Sequence, residues 1–571
     1  IGEGAFFGCE NLTGDVTIPK LITSIGDYTF MDCKNLKKIT IPNSVTRIGK
    51  NAFANCINLT DVNIPYFVSS IGDGAFCSCE SLTSITIPEF VKDIGEGAFE
   101  SCVNLTKINM PPFMESIGNF AFFDCRNLTE INVPYFVSSI GEATFGNCPS
   151  LTKINIPASI TSIGKDAFNG CQSLTEINIP GLVTSIGDGA FAGCEGLTEV
   201  TVPKSVTSVD GYAFTNCKNL KKITIPDSVT SIGECTFGNC QSLTEINIPA
   251  SVTSIGKDAF LGCEGLTEVT IPASVKSIGE CAFGRCVNLT KINMLGFLAS
   301  IGHHAFFDCR NLTEINVPYF ISSIGKATFG NCPSLTKINI PASVTNIGES
   351  AFEGCQSLTN ITIPSSVTNI EDDAFWYCKN LKEIKIPDSV KSIKENTFCN
   401  CEGLTNIIIP SSVTSIGDFA FLNCKSLDNV NIPDSVTSIG MGAFSNCESL
   451  TNITIPGSVK NIEKSAFFGC ENLTNVNILN SVTSIGESAF CGCEGLTNIT
   501  IPNSVVSIGK CAFCDCRRLT DITIPSSVKS IGEYAFHDCG NLKTIRFNGN
   551  VYNSVDSFMK AFNASKAGQK Q

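Results

Sequence analysis

Histidine is close to absent from this chain: His303, His304 and His537 are the whole set, and none stands in a recognisable nucleophile or metal motif. Enzymatic chemistry therefore has little support. Positive charge is also short. Lys and Arg number 39 against 53 Asp and Glu, the net charge is −14, and no basic cluster forms. Neutralising phosphates needs a basic stripe, so no nucleic acid is expected as a partner, and anionic membrane surfaces are disfavoured. No stretch approaches the roughly 18 consecutive apolar residues of a membrane-spanning helix, so no membrane insertion is expected. What the chain does not lack is apolar content. At 43% hydrophobic and 16% charged it is too apolar for disorder and able to bury a continuous core.

Length alone would suggest several domains, but that prior assumes no internal repetition. The segment IGDGAFCSCESLTSITIP at Ile71–Pro88 recurs from end to end. One cysteine keeps the register: Cys9, Cys33, then every 23 residues through Cys539, which makes twenty-four coils. The longer first interval fits one inserted residue near Gly14. Ile1 opens inside a coil, without an initiator methionine or a signal peptide, as expected of a fragment or processed product.

The coil closing on the next ladder cysteine after Cys56 shows how the pattern folds. Leu59, Val62, Ile64, Val68, Ile71, Ala75 and Phe76 are its inward set, ending on Cys79. Val62 and Ile64 alternate with Asp61 and Asn63, the period-two pattern of a strand with one buried face. Pro65, matched in twenty-one coils, ends that strand because it has no N–H for a ladder. A second extended piece, Val68 to Ile71, leads to a glycine in twenty of twenty-four coils. Asp210, Glu371, Lys394 and Glu463 replace that glycine, so a positive φ is not expected to be obligatory there. Ala-Phe-x-x-Cys has the spacing of a single helical turn. One coil cannot bury this set alone, so stability must come from stacking at about 4.8 Å per coil.

The consensus LTxIxIPxSVTSIGxxAFxxC resembles the BspA-like branch of leucine-rich repeats over nearly the whole chain. The resemblance implies a leucine-rich-repeat solenoid of about 24 stacked 23-residue coils, with short β-strands plus single helical turns, wound as a right-handed curved superhelix. It also implies an extracellular or cell-surface protein that binds protein ligands, of a host, a matrix or another surface protein. The sequence departs from the pattern at Leu295 and Leu479, where proline is expected. A block duplication overlies the coils: CRNLTEINVPYF stands at Cys125–Phe136 and again at Cys309–Phe320, an offset of eight coils. Coils copied in blocks do not each carry unique chemistry.

Of the 31 cysteines, twenty-four hold one inward position beside Phe, where a free thiol fills space as a small apolar group; a disulfide ladder is the alternative. Only the other seven, Cys77, Cys235, Cys281, Cys399, Cys491, Cys511 and Cys514, are expected at the surface. Cys491 and Cys514 take equivalent places in adjacent coils, where a bridge or a metal pair is geometrically open. Zinc needs four well-placed ligands and no histidine is expected nearby, so two solvent-facing thiols are the plainer reading, and no metal or cofactor is expected.

Outward columns give the surface. Along Glu130, Lys153, Glu176, Glu199, Lys222 and Glu245 many neighbours have opposite sign, which predicts modest cross-strand pairing. Farther on the same column becomes Asn406, Asn429, Asn452, Asn475 and Asn498, an amide ladder or a polar face for glycans or proteins. A sharper feature follows the proline. There the usual Ser gives way to Phe67, Phe90, Phe113 and Phe136 in four successive coils, with Tyr66 and Tyr135 beside two of them. The pattern returns at Phe297, Tyr319 and Phe320. These nine aromatics are the candidate binding residues, because contiguous exposed apolar area marks interaction surfaces; rings folded down as local packing are the alternative.

Residues 1–547 are expected to form one continuous solenoid and 548–571 a C-terminal cap and polar tail, with Val551, Val555, Phe558 and Phe562 at helical spacing. Asn-x-Thr triplets such as those at Asn58 and Asn127 belong to the repeat itself and say little about glycosylation. The leading function is a non-enzymatic cell-surface or secreted protein-binding or adhesion solenoid. The alternative is a self-assembling structural protein that forms oligomers or filaments through its ends or its aromatic strip.

Overall fold

Alternation of buried and exposed residues over two or three positions is enough to start a strand, and stacking completes it. A computed structural model describes residues 1–567 of the protein; the expected polar tail after the terminal helix, residues 568–571, lies outside them. The chain is a β-solenoid of about 23 turns with little helix. It falls into two compact units, Ile1–Gly296 and the part from Phe297 onward.

Nearly every coil contributes two short strands to two parallel ladders; the coil of Glu176 has only the second, Ser185–Ile186. In the first unit Lys107–Asn109 pairs with Ser84–Thr86 in register, Ile85 opposite Ile108, with only the central isoleucines buried. The second ladder is made of two-residue strands, ordered from Ser24–Ile25 to Ser116–Ile117. In the second unit one ten-stranded sheet runs from Asn360–Ile361 to Asn550–Tyr552. The extra residue of the first coil is absorbed where expected: the register shifts between Gly14 and Asp15, and Gly14 has φ 93°.

Proline sets strand length through its missing N–H. At Leu295 and Leu479 the amide is present, and each donates one more ladder bond, to Ile271 O at 3.1 Å and to Ile455 O at 3.3 Å. The strands there run to four residues, Lys291–Met294 and Asn475–Ile478.

The Ala-Phe-x-x-Cys segment turns, as its spacing predicts, but without a helical ladder. Ala75, Cys77 and Cys79 donate to the carbonyls of Gly72, Gly74 and Phe76, three overlapping turns. The alternate amides of Gly74, Phe76 and Ser78 donate instead to Glu96, Ala98 and Glu100 of the next coil, at 2.7–2.8 Å. Left-handed residues at Gly74 (φ 59°) and Ser78 (φ 55°) point every second N–H toward that neighbour. The glycine after Ile71 is not left-handed, in line with its four replacements. It serves close approach, since a Cβ on Gly72 would lie 2.6 Å from the Gly49 carbonyl carbon.

The core is a stack of rings and thiols. In the first unit the ladder phenylalanines from Phe6 to Phe283 lie face to face, centroids 5.0–5.9 Å apart and planes within 17°. The same stack runs from Phe306 to Phe536 in the second. Beside it ladder thiols donate to the carbonyl of a phenylalanine in the preceding coil, as Cys56 does to Phe30 O at 3.1 Å. All 31 cysteines are free thiols.

At the end of the second unit, Val551 does not join a helix. Asn550–Tyr552 folds back antiparallel on Thr544–Phe547, and the helix begins at Val555 and runs to Ala567, with Phe558 and Phe562 buried. Ser554 opens it, its hydroxyl accepting from the Ser557 amide.

Candidate functional site

The column after the proline turn is where the repeat leaves its own rule. In most coils it holds serine, and that serine is not a passive surface residue. Except at Ser504 and Ser527, its hydroxyl donates to a backbone carbonyl of the preceding coil: Ser44 to Ile22 O, Ser205 to Val183 O, Ser251 to Val229 O and Ser274 to Val252 O, each at 2.6 Å. A phenylalanine has no donor, so each replacement gives up an inter-coil hydrogen bond worth about 1 kcal/mol net.

The rings do not fold away in return. The nine aromatics are all exposed, from 48% at Tyr66 to 74% at Phe297. They touch one another in small groups. Tyr66 stands edge-on to Phe67 and Phe90 at 5.3 and 5.0 Å, and Phe67 lies 5.8 Å from Phe90. Phe113 stacks on Phe136 at 6.0 Å, with Tyr135 edge-on to Phe136 at 5.9 Å. In the second unit Phe320 is edge-on to Phe297 at 5.0 Å and to Tyr319 at 6.0 Å. The same column holds two further exposed apolar residues that composition by aromatics overlooks, Leu21 at 93% and Leu182 at 58%.

The strand face is polar and differs from its expected pairing. Glu130 stands in register with Lys153, Glu199 with Lys222 and Lys222 with Glu245. Yet among the described residues these side chains form no ion pair within 4.0 Å; of this column's in-register partners, Lys38 and Asp61 do close, at 2.7 Å. Long exposed side chains gain too little from a surface pair to be held in one rotamer. They instead border open depressions, one lined by Lys153, Asn155, Glu176, Asn178 and Glu199, another by Asn429, Asn431, Asn452, Asn475 and Asn477. The expected amide column has one link, Asn475 to Asn452 at 2.9 Å. A better amide ladder lies one residue before the cysteine, where Asn423 donates to Asn400 and Asn446 to Asn423 at 2.7 and 2.9 Å.

Histidine and cysteine bring two corrections. His303 Nδ1 accepts the Lys326 amide at 2.8 Å, the task Asp27 performs for Lys50, so it is a structural substitute. Cys399 is buried and the first ladder residue, Cys9, exposed, the reverse of expectation; the other six of the seven are half-buried. The Cys491–Cys514 pair does have a histidine nearby. His537, one coil beyond, holds Nδ1 3.9 Å from Cys514 Sγ.

Comparison with known proteins bears on this geometry. A family model described as the BspA type leucine rich repeat region matches residues 1–114, 92–221, 208–335, 322–451 and 437–566. No curated protein matches the chain. Among solved structures, a leucine-rich repeat protein from Bacteroides ovatus is 33% identical over 64% of this chain and 82% of that one, with a TM-score of 0.44. The T. pallidum leucine rich repeat protein is 28% identical over 33% and 76%, TM-score 0.25. A leucine rich cell surface protein from Faecalibacterium prausnitzii is 24% identical over 85% and 84%, TM-score 0.18.

Proposed function

Because the chain belongs to the BspA-type leucine-rich repeat family, we propose that it is a non-enzymatic binding solenoid, cell-surface or secreted, that holds a protein ligand on its aromatic strip. One observation carries this reading: in four successive coils a hydrogen-bonded serine is exchanged for a phenylalanine that stays exposed. The exchange forgoes an inter-coil bond and leaves apolar area in water, with only the rings' contacts with one another in return. Aromatic side chains in contact with one another are the usual anchors of protein interfaces. The polar depressions of the strand face would serve as secondary contacts. Membership of the family supports a place outside the cell. No helix among the described residues is long and apolar enough to cross a membrane.

The test uses serine itself, which this column already accepts. A Phe67→Ser, Phe90→Ser, Phe113→Ser and Phe136→Ser chain should fold and keep its circular dichroism while losing adhesion to immobilised matrix proteins and cell layers by tenfold or more. Leu182→Ser should leave adhesion intact. Unchanged adhesion in the fourfold variant refutes the reading. Concentration-dependent association by sedimentation, abolished in the same variant, moves the strip to self-assembly instead.

A further inference from the structure

Two residues before each ladder cysteine lies a column with no rule of its own: Met31, Ala54, Glu100, Gly146, Thr215, Trp376 and Ser445 all occupy it. In three successive coils it carries Cys491, Cys514 and His537, residues that bind metals. Asp515 follows Cys514. Stacking requires none of these side chains, and 22 or 23 intervening residues hide their proximity in the sequence.

The coil spacing brings them together on fixed backbone. The Gly492 amide donates to Cys514 O at 2.8 Å and the Asp515 amide to His537 O at 2.9 Å, so the three coils are tied at this point. The ligand atoms of Cys491, Cys514 and Asp515 all lie within 4.8 Å of one another. Cys514 Sγ is 3.7 Å from Asp515 Oδ2 and 3.9 Å from His537 Nδ1. A tetrahedral zinc with bonds of about 2.3 Å to sulfur and about 2.0–2.1 Å to nitrogen or oxygen needs edges of about 3.6 Å between such atoms. The two edges at Cys514 exceed that by no more than a few tenths of an ångström, and Cys491 lies within 4.8 Å of Cys514 and Asp515, so closing the set takes rotamer changes at Cys491 and His537.

We propose that Cys491, Cys514, Asp515 and His537 form a zinc site that staples three adjacent coils. Two thiolates with one imidazole and one carboxylate select zinc over the hard cations that prefer all-oxygen shells. The remaining contacts are compatible with this. Asp515 Oδ1 meets Arg517 at 3.4 Å and leaves Oδ2 toward the site. His537 Nδ1 also faces Asp538 Oδ2 at 3.1 Å, an exposed contact that binding would exchange for the metal. Burial first, then the neighbouring Cys491 and Asp515 charges, push the Cys514 thiol up to about 12. A divalent cation at the centre reverses that repulsion.

The experiment uses the full chain, reduced and stripped with a chelator, titrated with cobalt(II) and then zinc. One equivalent of cobalt should give the intense visible bands of a tetrahedral site with a thiolate charge-transfer band in the near ultraviolet, and zinc should abolish both. Cys491→Ser with Cys514→Ser should lose the charge-transfer band and one equivalent of bound zinc; His537→Ala should weaken binding at least tenfold. Cys77→Ser, in the same column elsewhere, should change nothing. Serine occupies this column at Ser445, so the variants should fold. Absence of the band in the reduced chain, or its survival in the double serine variant, overturns the proposal.

Discussion

Alkaline pH should unfold this protein through its thiols. Burial pushes Cys171, Cys240, Cys286, Cys332 and Cys470 from the ordinary 9.0 up to about 12. A thiol whose pKa is raised on folding favours the folded chain while protonated. Its contribution is full below 9, where both states hold the proton, and is lost as pH rises toward 12. At pH 10.5 the unfolded thiol gains about 2 kcal/mol by ionising while the folded one gains almost nothing. Five such groups amount to about 10 kcal/mol, comparable with the whole stability of an ordinary domain.

The assay is urea unfolding followed by circular dichroism at pH 7.5, 9 and 10.5, under reductant. The midpoint should be highest at pH 7.5, slightly lower at 9 and much lower at 10.5. Lysine and tyrosine also titrate in this range, so attribution needs a second chain. Cys171→Ala with Cys240→Ala should flatten the pH slope by about 2.7 kcal/mol per unit, two protons' worth. A midpoint that is level from 7.5 to 10.5, or a slope unchanged in the double variant, refutes the argument. So would ladder thiols of the native protein reacting with Ellman's reagent as fast as a small free thiol.

Five substitutions, three probes and two controls, test the stacking one contact at a time, each by urea midpoint at neutral pH. Ser251→Ala removes the bond to Val229 O and should cost about 1 kcal/mol, whereas Ser504→Ala, whose buried hydroxyl has no partner, should cost nothing. Gly72→Ala forces a methyl against the Gly49 backbone and should cost about 1–3 kcal/mol, while Gly181→Ala, with open space around it, should be neutral or slightly stabilising. Leu295→Pro deletes the amide that reaches Ile271 O and should cost about 1 kcal/mol.

The coil was legible because its inward residues are chemically unambiguous. Phe, Cys and Pro recur at fixed places, and each has one physical task in the stack. The turn segment was less so, because apolar spacings of one and three suit a helical turn and a run of β-turns equally. What separates them is the destination of alternate amides, and Gly74 and Phe76 send theirs to the next coil, which no single coil reveals. Surface columns failed for a related reason. Register placed Glu130 beside Lys153 correctly, but register does not hold two exposed side chains together. The aromatic strip was visible as a broken rule; the bond it displaced was not, since serine looks like an ordinary surface residue until its acceptor is seen.

In a solenoid, then, meaning lies in departures from the repeat, and their cost sorts them. Asp210, Glu371, Lys394 and Glu463 replace a glycine with charges of both signs, and the one adjacent pair, Glu371 and Lys394, is opposite in sign, as expected of scattered drift that the stack tolerates. Phe67, Phe90, Phe113 and Phe136 instead change four neighbouring coils in one direction, each against a lost bond. Cys491, Cys514 and His537 change three neighbours at a position where no bond is lost, but toward one chemistry. Drift has no reason to move several adjacent coils toward one chemistry, because 23 residues separate them along the chain. Only something that spans coils in space, a ligand across the rings or an ion between the thiols, sees those positions as neighbours.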